Sequence, residues 1–269
     1  MKGQSLAEAL KSIFVLAVIV LCLVAGYLIW KQIMGNPVNF EGGNHDGAAL
    51  PGNYLGIIYK GGFIVPLLMA VNLILITFVL ERFIMLWKAK GHGNVTGFIR
   101  RLQTLLNEDK IEDAIKLCDK QRGSLANVMR AGLHRYRDLQ ADKSLQNDQK
   151  VLALQKDLEE ATALELPVLS QNLVMMSTIA SISVLIGLIG TVLGMIRAFG
   201  ALATAGAPNA LALATGISEA LINTAFGITG STLAIIFYNY FSTRIDGMTF
   251  KIDEASFSLT QTFASTLKK

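Results

Sequence analysis

The 269-residue chain is 52% hydrophobic and only 16% charged, whereas soluble domains carry about 25% charged residues. Its formal net charge is only +4, and basic residues alternate with acidic ones instead of clustering with aromatic residues, which argues against a nucleic-acid partner. The composition therefore excludes an ordinary soluble domain and favours a protein that hides apolar surface in a lipid bilayer.

The first apolar run, residues 13–30, follows Lys2 and Lys11. The run is longer than the roughly 7–15 apolar residues of a signal peptide, and no small-x-small cleavage site follows it. Segment 1–34 is therefore predicted to be a retained, additional transmembrane helix, with Trp30 as an anchor at the membrane interface.

A loop and a second span are predicted next. Residues 35–60 are rich in Gly and Asn and carry few charges, which is typical of a loop, here expected on the periplasmic side. Residues 61–87 are predicted to form transmembrane helix 2, which ends near Glu81 and Arg82. This span has no titratable residue in its middle, so we expect it to face lipid.

Residues 88–167 differ from the runs around them, because charges of both signs accompany helical periodicity. Asp109 is predicted to be a helix N-cap, with Glu112 as its capping-box partner. A later apolar stripe could pack on this domain or on a second copy of the chain. Its members are Val151, Leu154, Leu158 and Ala161. The segment is predicted to be a cytoplasmic helical domain.

Residues 168–241 are predicted to be a transmembrane hairpin of helices 3 and 4, joined by the short uncharged loop 203–210. Both apolar runs exceed the ~20 residues that cross hydrocarbon, so we expect both helices to extend into the cytoplasm. Residues 242–269 form an amphipathic cytoplasmic tail. Its aromatic residues include Phe250, Phe257 and Phe263.

Positive charge concentrates in two regions, 88–167 and 242–269, whereas the loops 35–60 and 203–210 hold a single basic residue, Lys60. Because basic residues stay on the cytoplasmic side, four spans with both termini in the cytoplasm are predicted. The expected fold is an all-α polytopic membrane protein.

No catalytic constellation stands out. The sequence has no nucleophile elbow, no phosphate-binding Gly-x-x-x-x-Gly-Lys and no zinc helix motif. The histidines and cysteines lie apart from one another and lack metal-ligand spacing. These residues are His45, His92, His134, Cys22 and Cys118. The sequence therefore predicts no enzyme activity, no metal site and no cofactor.

Small residues form one stripe on each of helices 3 and 4, which allows helix backbones to approach closely. We interpret both stripes as helix-packing surfaces. Their members are Gly187, Gly190 and Gly194 on helix 3, and Gly216, Ala220 and Gly227 on helix 4.

Glu219 lies well inside the fourth apolar run. A carboxylate at this depth is costly in hydrocarbon and is therefore a candidate functional residue. It could bind and release protons on a polar path. The alternative is a packing role, in which Glu219 pairs with an arginine.

Residue counts from the middle of the hairpin loop place Thr191 and Thr224 at one depth. Arg197 and Glu219 share another depth, nearer the outer surface, and Asn223 lies one turn inward from Glu219. Because hydroxyl groups both donate and accept hydrogen bonds, they can hold a chain of water. The five residues are predicted to form a proton pathway. Whether Arg197 pairs with Glu219 or extends outward stays open.

Several motifs resemble those of the ExbB/TolQ/MotA proton-channel family. GTVLGMI at 190–196 is similar to the signature of that family's third span, and EALINTAFG at 219–227 to that of its last span. GGFIVPLL at 61–68 resembles its first common span, and residues 114–133 resemble its cytoplasmic segment. The resemblance covers about 61–240.

The resemblance implies an ExbB-type subunit of a TonB-energising motor in the bacterial inner membrane. Such a subunit forms a homopentamer around an ExbD-type single-span partner, and proton flow drives movement that a TonB-like protein transmits. By position, Thr191, Glu219 and Thr224 would line the channel. The additional first span, Arg197 and Asn223 depart from the family pattern. A TolQ-type subunit for envelope maintenance and a passive membrane scaffold are the alternatives.

Overall fold

The computed structural model describes residues 2–44, 47–204 and 210–267. The structure confirms the all-α class. Within these residues, four helical stretches are long and apolar enough to cross a membrane, namely Val15–Met34, Ile64–Asn107, Asn147–Ala203 and Ala212–Thr266. The protein is therefore a multi-pass α-helical membrane protein. His45, most of the predicted 203–210 loop and the last two lysines lie outside the described residues.

The helices follow one another in a simple order. They are α1 Lys2–Leu28, continued by a π-helical turn at Ile29–Met34, then α2 Tyr54–Tyr59, α3 Ile64–Lys90, α4 Val95–Asn107, α5 Ile111–Gln121, α6 Ser124–Ala141, α7 Asn147–Ser170, α8 Leu173–Thr204 and α9 Ala210–Thr266. The chain divides into two compact units. The first joins Met1–Leu80 to Val174–Tyr238, and the second joins Glu81–Leu173 to Asn239–Lys269.

In the first unit, α3 lies against other helices of the chain. Val65, Leu68 and Phe78 are fully buried, and half of the apolar window of this span is buried inside the protein. At Gly26 of α1, an added Cβ would lie 2.8 Å from the Pro66 carbonyl oxygen. The other half of the window is exposed, so this span packs on the chain with one face and leaves the other for lipid or a partner to cover. A protein interior is as apolar as lipid, so an uncharged run fits either environment.

The predicted loop 35–60 is largely folded. Two single-turn 3₁₀ helices, Pro37–Asn39 and Glu41–Gly43, precede α2. Phe40 forms an antiparallel bridge to Ala49. The side chain of Asn39 is buried and donates to the carbonyl oxygens of Ile33 and Met34, each at 2.9 Å. This segment is therefore a structured cap on the end of the first span.

The second unit has a hydrophobic core built from α4, α5, α6, α7 and the end of α9. Leu154 and Leu158 of the predicted stripe lie in this core, so within the monomer the stripe packs on its own domain. The predicted tail is the uninterrupted end of α9. Phe263 is buried against Tyr136, with ring centroids 4.5 Å apart, whereas Phe250 and Phe257 are exposed.

The N-cap prediction at Asp109 is wrong. Asp109 has a left-handed φ of 56°, and Lys110 occupies the N-cap of α5 without a side-chain capping bond. The Asp109 amide instead donates to the Leu106 carbonyl, 3.1 Å away, in the turn that follows α4. Aspartate tolerates the left-handed conformation better than most residues, so here it serves the turn and not the cap.

A buried arginine holds the break between α7 and α8. Arg82 is fully buried and donates to both carboxylate oxygens of Glu81, at 2.8 and 2.6 Å. It also donates to the Leu169 carbonyl at 3.2 Å, while Asn172 donates to Glu81 at 3.3 Å. The long helical stretch that contains the third span is therefore interrupted at residues 171–172, where Asn172 has a φ of 62°.

Cys118 is expected to react slowly with thiol reagents in the folded protein. Burial, with a smaller contribution from neighbouring Asp119, raises the pKa of its thiol to about 12. At pH 8 about one thiol in 10⁴ is then ionised, compared with roughly a quarter for a free cysteine. Site-resolved mass spectrometry after iodoacetamide treatment should give little modification, with the rate rising as pH increases and rising sharply on unfolding. Native-state modification at the rate of a free thiol would contradict this.

Candidate functional site

Helices α8 and α9 approach closely along the two small-residue stripes. An added Cβ at Gly187 would lie 2.9 Å from the Asn223 carbonyl oxygen, and one at Gly227 would lie 2.8 Å from the Ser183 carbonyl oxygen. The two helices are equally close at three further positions. There Gly190 faces Asn223, Gly194 faces Ala220, and Gly216 faces Ala198. These contacts support the packing role predicted for both stripes.

We expect Gly187→Ala to destabilise the hairpin by roughly 1–3 kcal/mol, because the new methyl group forces α8 away from α9. Gly200 provides a matched control on the same helix, since no described residue has an atom within 4 Å of a Cβ added there. Gly200→Ala should be neutral or slightly stabilising, because alanine favours helix more than glycine does. Thermal unfolding of the two purified variants tests this, and equal midpoints would contradict it.

Arg197 and Glu219 form an ion pair between α8 and α9. Arg197 Nη1 lies 2.5 Å from Glu219 Oε1, and the Glu219 side chain is only 6% exposed while that of Arg197 is 55% exposed. The structure therefore selects the paired arrangement of the two that the sequence left open. More than half of the Arg197 side chain thus remains exposed while its Nη1 holds the nearly buried carboxylate.

Thr191 and Thr224 lie side by side, and their hydroxyl groups are hydrogen-bonded to each other. This contact confirms the predicted common depth. Thr191 Oγ1 also lies 3.1 Å from the Gly187 carbonyl oxygen, and Thr224 Oγ1 lies 3.1 Å from that of Ala220. Each hydroxyl group therefore has two possible hydrogen-bond partners, a backbone carbonyl oxygen on its own helix and the hydroxyl group of the other threonine.

Asn223 bonds to the turn that precedes α3. Its side chain is fully buried, fits against Gly190, and donates from Nδ2 to the Gly61 carbonyl oxygen at 2.9 Å. Its Oδ1 has no hydrogen-bond partner among the described residues. Of the five residues of the predicted pathway, Arg197 and Glu219 thus form one contact and the two threonines form another, while Asn223 bonds to Gly61.

The turn that precedes α3 covers the Glu219 carboxylate. The sequence analysis did not predict this contact. Gly62 has a left-handed φ of 79°. A Cβ there would collide with Glu219 Oε1 and lie 3.2 Å from Arg197 Nη1. The signal in the sequence was the Gly61-Gly62 pair directly before an apolar run, because glycine permits both the left-handed turn and the close approach.

The arrangement places an ionisable group inside the hairpin. The nearly buried Glu219 carboxylate is held by Arg197, whose side chain is 55% exposed, and a carboxylate inside a membrane span is a candidate functional residue. Two hydroxyl groups lie farther along the same hairpin. No metal-binding cluster of His, Cys, Asp and Glu occurs in the part of the chain that the structure describes.

The family model described as the MotA/TolQ/ExbB proton channel family matches residues 120–254, half of the chain. The chain belongs to this family. The matched region contains the break between α7 and α8, the ion pair and the threonine pair.

Some of the similar proteins are named ExbB and others are named TolQ. The chain is 41% identical over 86 residues to the putative biopolymer transport protein ExbB-like 3 of Synechocystis, covering 31% of this chain and 41% of that protein. It is 33% identical over 117 residues to the Tol-Pal system protein TolQ of Pseudomonas aeruginosa, covering 44% and 51%. It is 28% identical over 176 residues to the biopolymer transport protein ExbB of Pseudomonas putida, covering 64% and 52%. The chain thus spans about half the length, or less, of these relatives.

Proposed function

We propose that this chain is the proton-channel-forming subunit of an inner-membrane motor that uses the proton motive force to energise TonB-dependent outer-membrane transport. The observation that carries the proposal is the 6% exposed Glu219 carboxylate, held between two apolar helices of a proton-channel family member. A buried ionisable group in a membrane span is expected to have a functional partner or path.

The proposed path begins at the outer side with Arg197 and Glu219 and continues to the threonine pair. Glu219 and Thr224 are five positions apart on one helix, or about 7.5 Å along its axis. This separation exceeds a hydrogen bond, so the proposed path includes water between the two groups. Asn223 supports the wall of the path through its bond to Gly61 and does not carry the proton.

The proposed assembly is a homopentamer around an ExbD-type single-span partner, with a TonB-like protein as the outer link. An apolar stripe on α8 is exposed in the monomer and requires lipid or protein to cover it. It contains Leu185, Leu188, Val192, Ile196 and Phe199. We propose that both termini lie in the cytoplasm, because the basic residues concentrate in regions 88–167 and 242–269 and basic segments stay on the cytoplasmic side. The proposed role includes no enzyme chemistry.

Two other roles each have one observation in their favour. Identity of 33% to TolQ of Pseudomonas aeruginosa favours a TolQ-type subunit for envelope maintenance. The Arg197–Glu219 pair favours a passive scaffold, in which the carboxylate only stabilises the hairpin.

Co-expression separates the two motor roles. In cells that lack their own motor subunits, we expect the chain with ExbD-type and TonB-type partners to restore energised uptake. With Tol-type partners we expect no restoration of envelope integrity. The reverse pattern would assign the chain to the Tol role. Assembly with either partner set but without any energised output would contradict both motor roles and leave the scaffold.

A further inference from the structure

The first span ends in an aromatic cluster on the outer side of the first unit. The rings of Trp30 and Tyr59 are stacked, with centroids 4.7 Å apart and an interplanar angle of 18°. Trp30 Nε1 also donates to the Tyr59 carbonyl oxygen at 3.4 Å. Phe40 packs edge-on against Tyr59 at 5.4 Å. The end of the additional helix is thus attached directly to the last residue of α2.

A second set of contacts fixes the beginning of α2. Asn39, whose side chain bonds the carbonyl groups at the end of the first span, also accepts a 2.9 Å hydrogen bond from Asn53 Nδ2. Asn53 is the N-cap of α2, and its Oδ1 accepts from the amides of Leu55 and Gly56 at 3.1 and 3.2 Å. Trp30, at the end of the first span, therefore holds the end of α2, and Asn39, in the segment that follows this span, holds its beginning.

The turn over the carboxylate begins where α2 ends. The Gly61 amide donates to the Ile58 carbonyl at 2.9 Å, and the Gly62 amide donates to the Tyr59 carbonyl at 3.2 Å. Gly61 then accepts the hydrogen bond from Asn223, and Gly62 lies against Glu219 and Arg197. A continuous series of contacts thus joins Trp30, through Tyr59 and the turn, to Glu219.

We propose that Trp30 and Tyr59 are positioning residues that hold the Gly61–Gly62 turn against Glu219 and keep outer-side water from the carboxylate. The additional first span thereby controls access to the site. The importance of this control rests on the proposed function, since it matters only where Glu219 carries protons. The contact itself can be tested without any transport assay.

The test uses the full-length protein in its native membrane and a hydrophobic carbodiimide, which modifies protonated carboxyl groups. Mass spectrometry of the peptides that contain Glu219 gives the rate of modification. Tyr59→Ala and Trp30→Ala should each raise that rate by roughly two- to ten-fold, the shift expected when one aromatic stack is lost. Tyr59→Phe keeps the ring and should react at the rate of the unaltered protein.

Tyr54 offers a matched control, because it is a tyrosine on the same short helix with 77% of its surface exposed. Tyr54→Ala should leave the modification of Glu219 unchanged, and the modification of Glu81 in the second unit should be unchanged in every variant. If Tyr59→Ala does not fold, Trp30→Leu removes the stacking ring while keeping bulk at that position.

Rates for Tyr59→Ala and the Trp30 variants that equal that of the unaltered protein would overturn the positioning role. A faster rate in Tyr54→Ala, or at Glu81, would also overturn it, since the effect would then be general loosening. If the rates change as expected but Glu219→Ala still supports energised uptake, the proposed function fails and the positioning role stands. The two failures are therefore distinguishable.

Discussion

We expect Glu219→Ala to lose energised uptake, while membrane insertion and assembly of the subunit are retained. We expect a loss of roughly 10²-fold or more, the contribution that a positioned acid–base group makes to proton transfer. Assembly should persist because the remaining partner, Arg197, is 55% exposed and can be solvated when its carboxylate is lost. Uptake is measured in cells that express each variant together with its motor partners, and assembly by co-purification.

Two further variants separate proton binding from packing. Glu219→Gln combined with Arg197→Gln removes both charges without leaving either unpaired. Uptake retained in this double variant would favour the passive scaffold and contradict the proton-binding role. Glu41 lies in the folded segment after the first span of the same unit and is exposed, so Glu41→Gln is the control that should behave as the unaltered protein.

Loss of the buried arginine should give the largest change in stability. Arg82→Met leaves Glu81 and the Leu169 carbonyl without their partner, and breaking a buried ion pair on one side typically costs 3–5 kcal/mol. We expect a value near 3 kcal/mol, because the Glu81 side chain is 22% exposed and gains some solvation. The free energy of unfolding of the purified protein in denaturant measures this.

Two variants sharpen that measurement. Arg82→Lys keeps the charge but cannot bond both carboxylate oxygens of Glu81 in a fork, so it should be destabilised to a smaller but measurable extent. Arg101 is exposed on α4, and Arg101→Met should change the unfolding free energy by about 0.5 kcal/mol or less. Equal effects of Arg82→Met and Arg101→Met would show that the break between α7 and α8 does not depend on this contact.

The spans could be predicted because long apolar runs leave a signal that needs no tertiary contact. The depth of Thr191 and Thr224 was equally accessible, since two antiparallel helices joined by a short loop place equal residue counts side by side. The same counting placed Arg197 beside Glu219. Counting residues does not give the direction in which each side chain leaves its helix. The hydrogen bond from Asn223 to the Gly61 carbonyl oxygen was therefore not predicted.

The break between α7 and α8 was not predicted, for a physical reason. Pro167 is the conventional helix breaker in this region and marked the predicted domain boundary, yet it lies inside α7. The break comes later, at Gln171 and Asn172, where Arg82 donates to the Leu169 carbonyl and Glu81 accepts from the side-chain amide of Asn172. That pair is 87 positions away in the chain from Leu169, so no local pattern reports it.

The most direct test of the proton-binding role is proton flow through the purified subunit and its single-span partner in sealed liposomes. With an imposed proton gradient and a pH-sensitive dye inside, the unaltered complex should dissipate the gradient. The complex with Glu219→Gln should retain the gradient as well as liposomes without protein do. Equal flow through the unaltered and Glu219→Gln complexes would contradict the assignment of Glu219 as the proton-binding group.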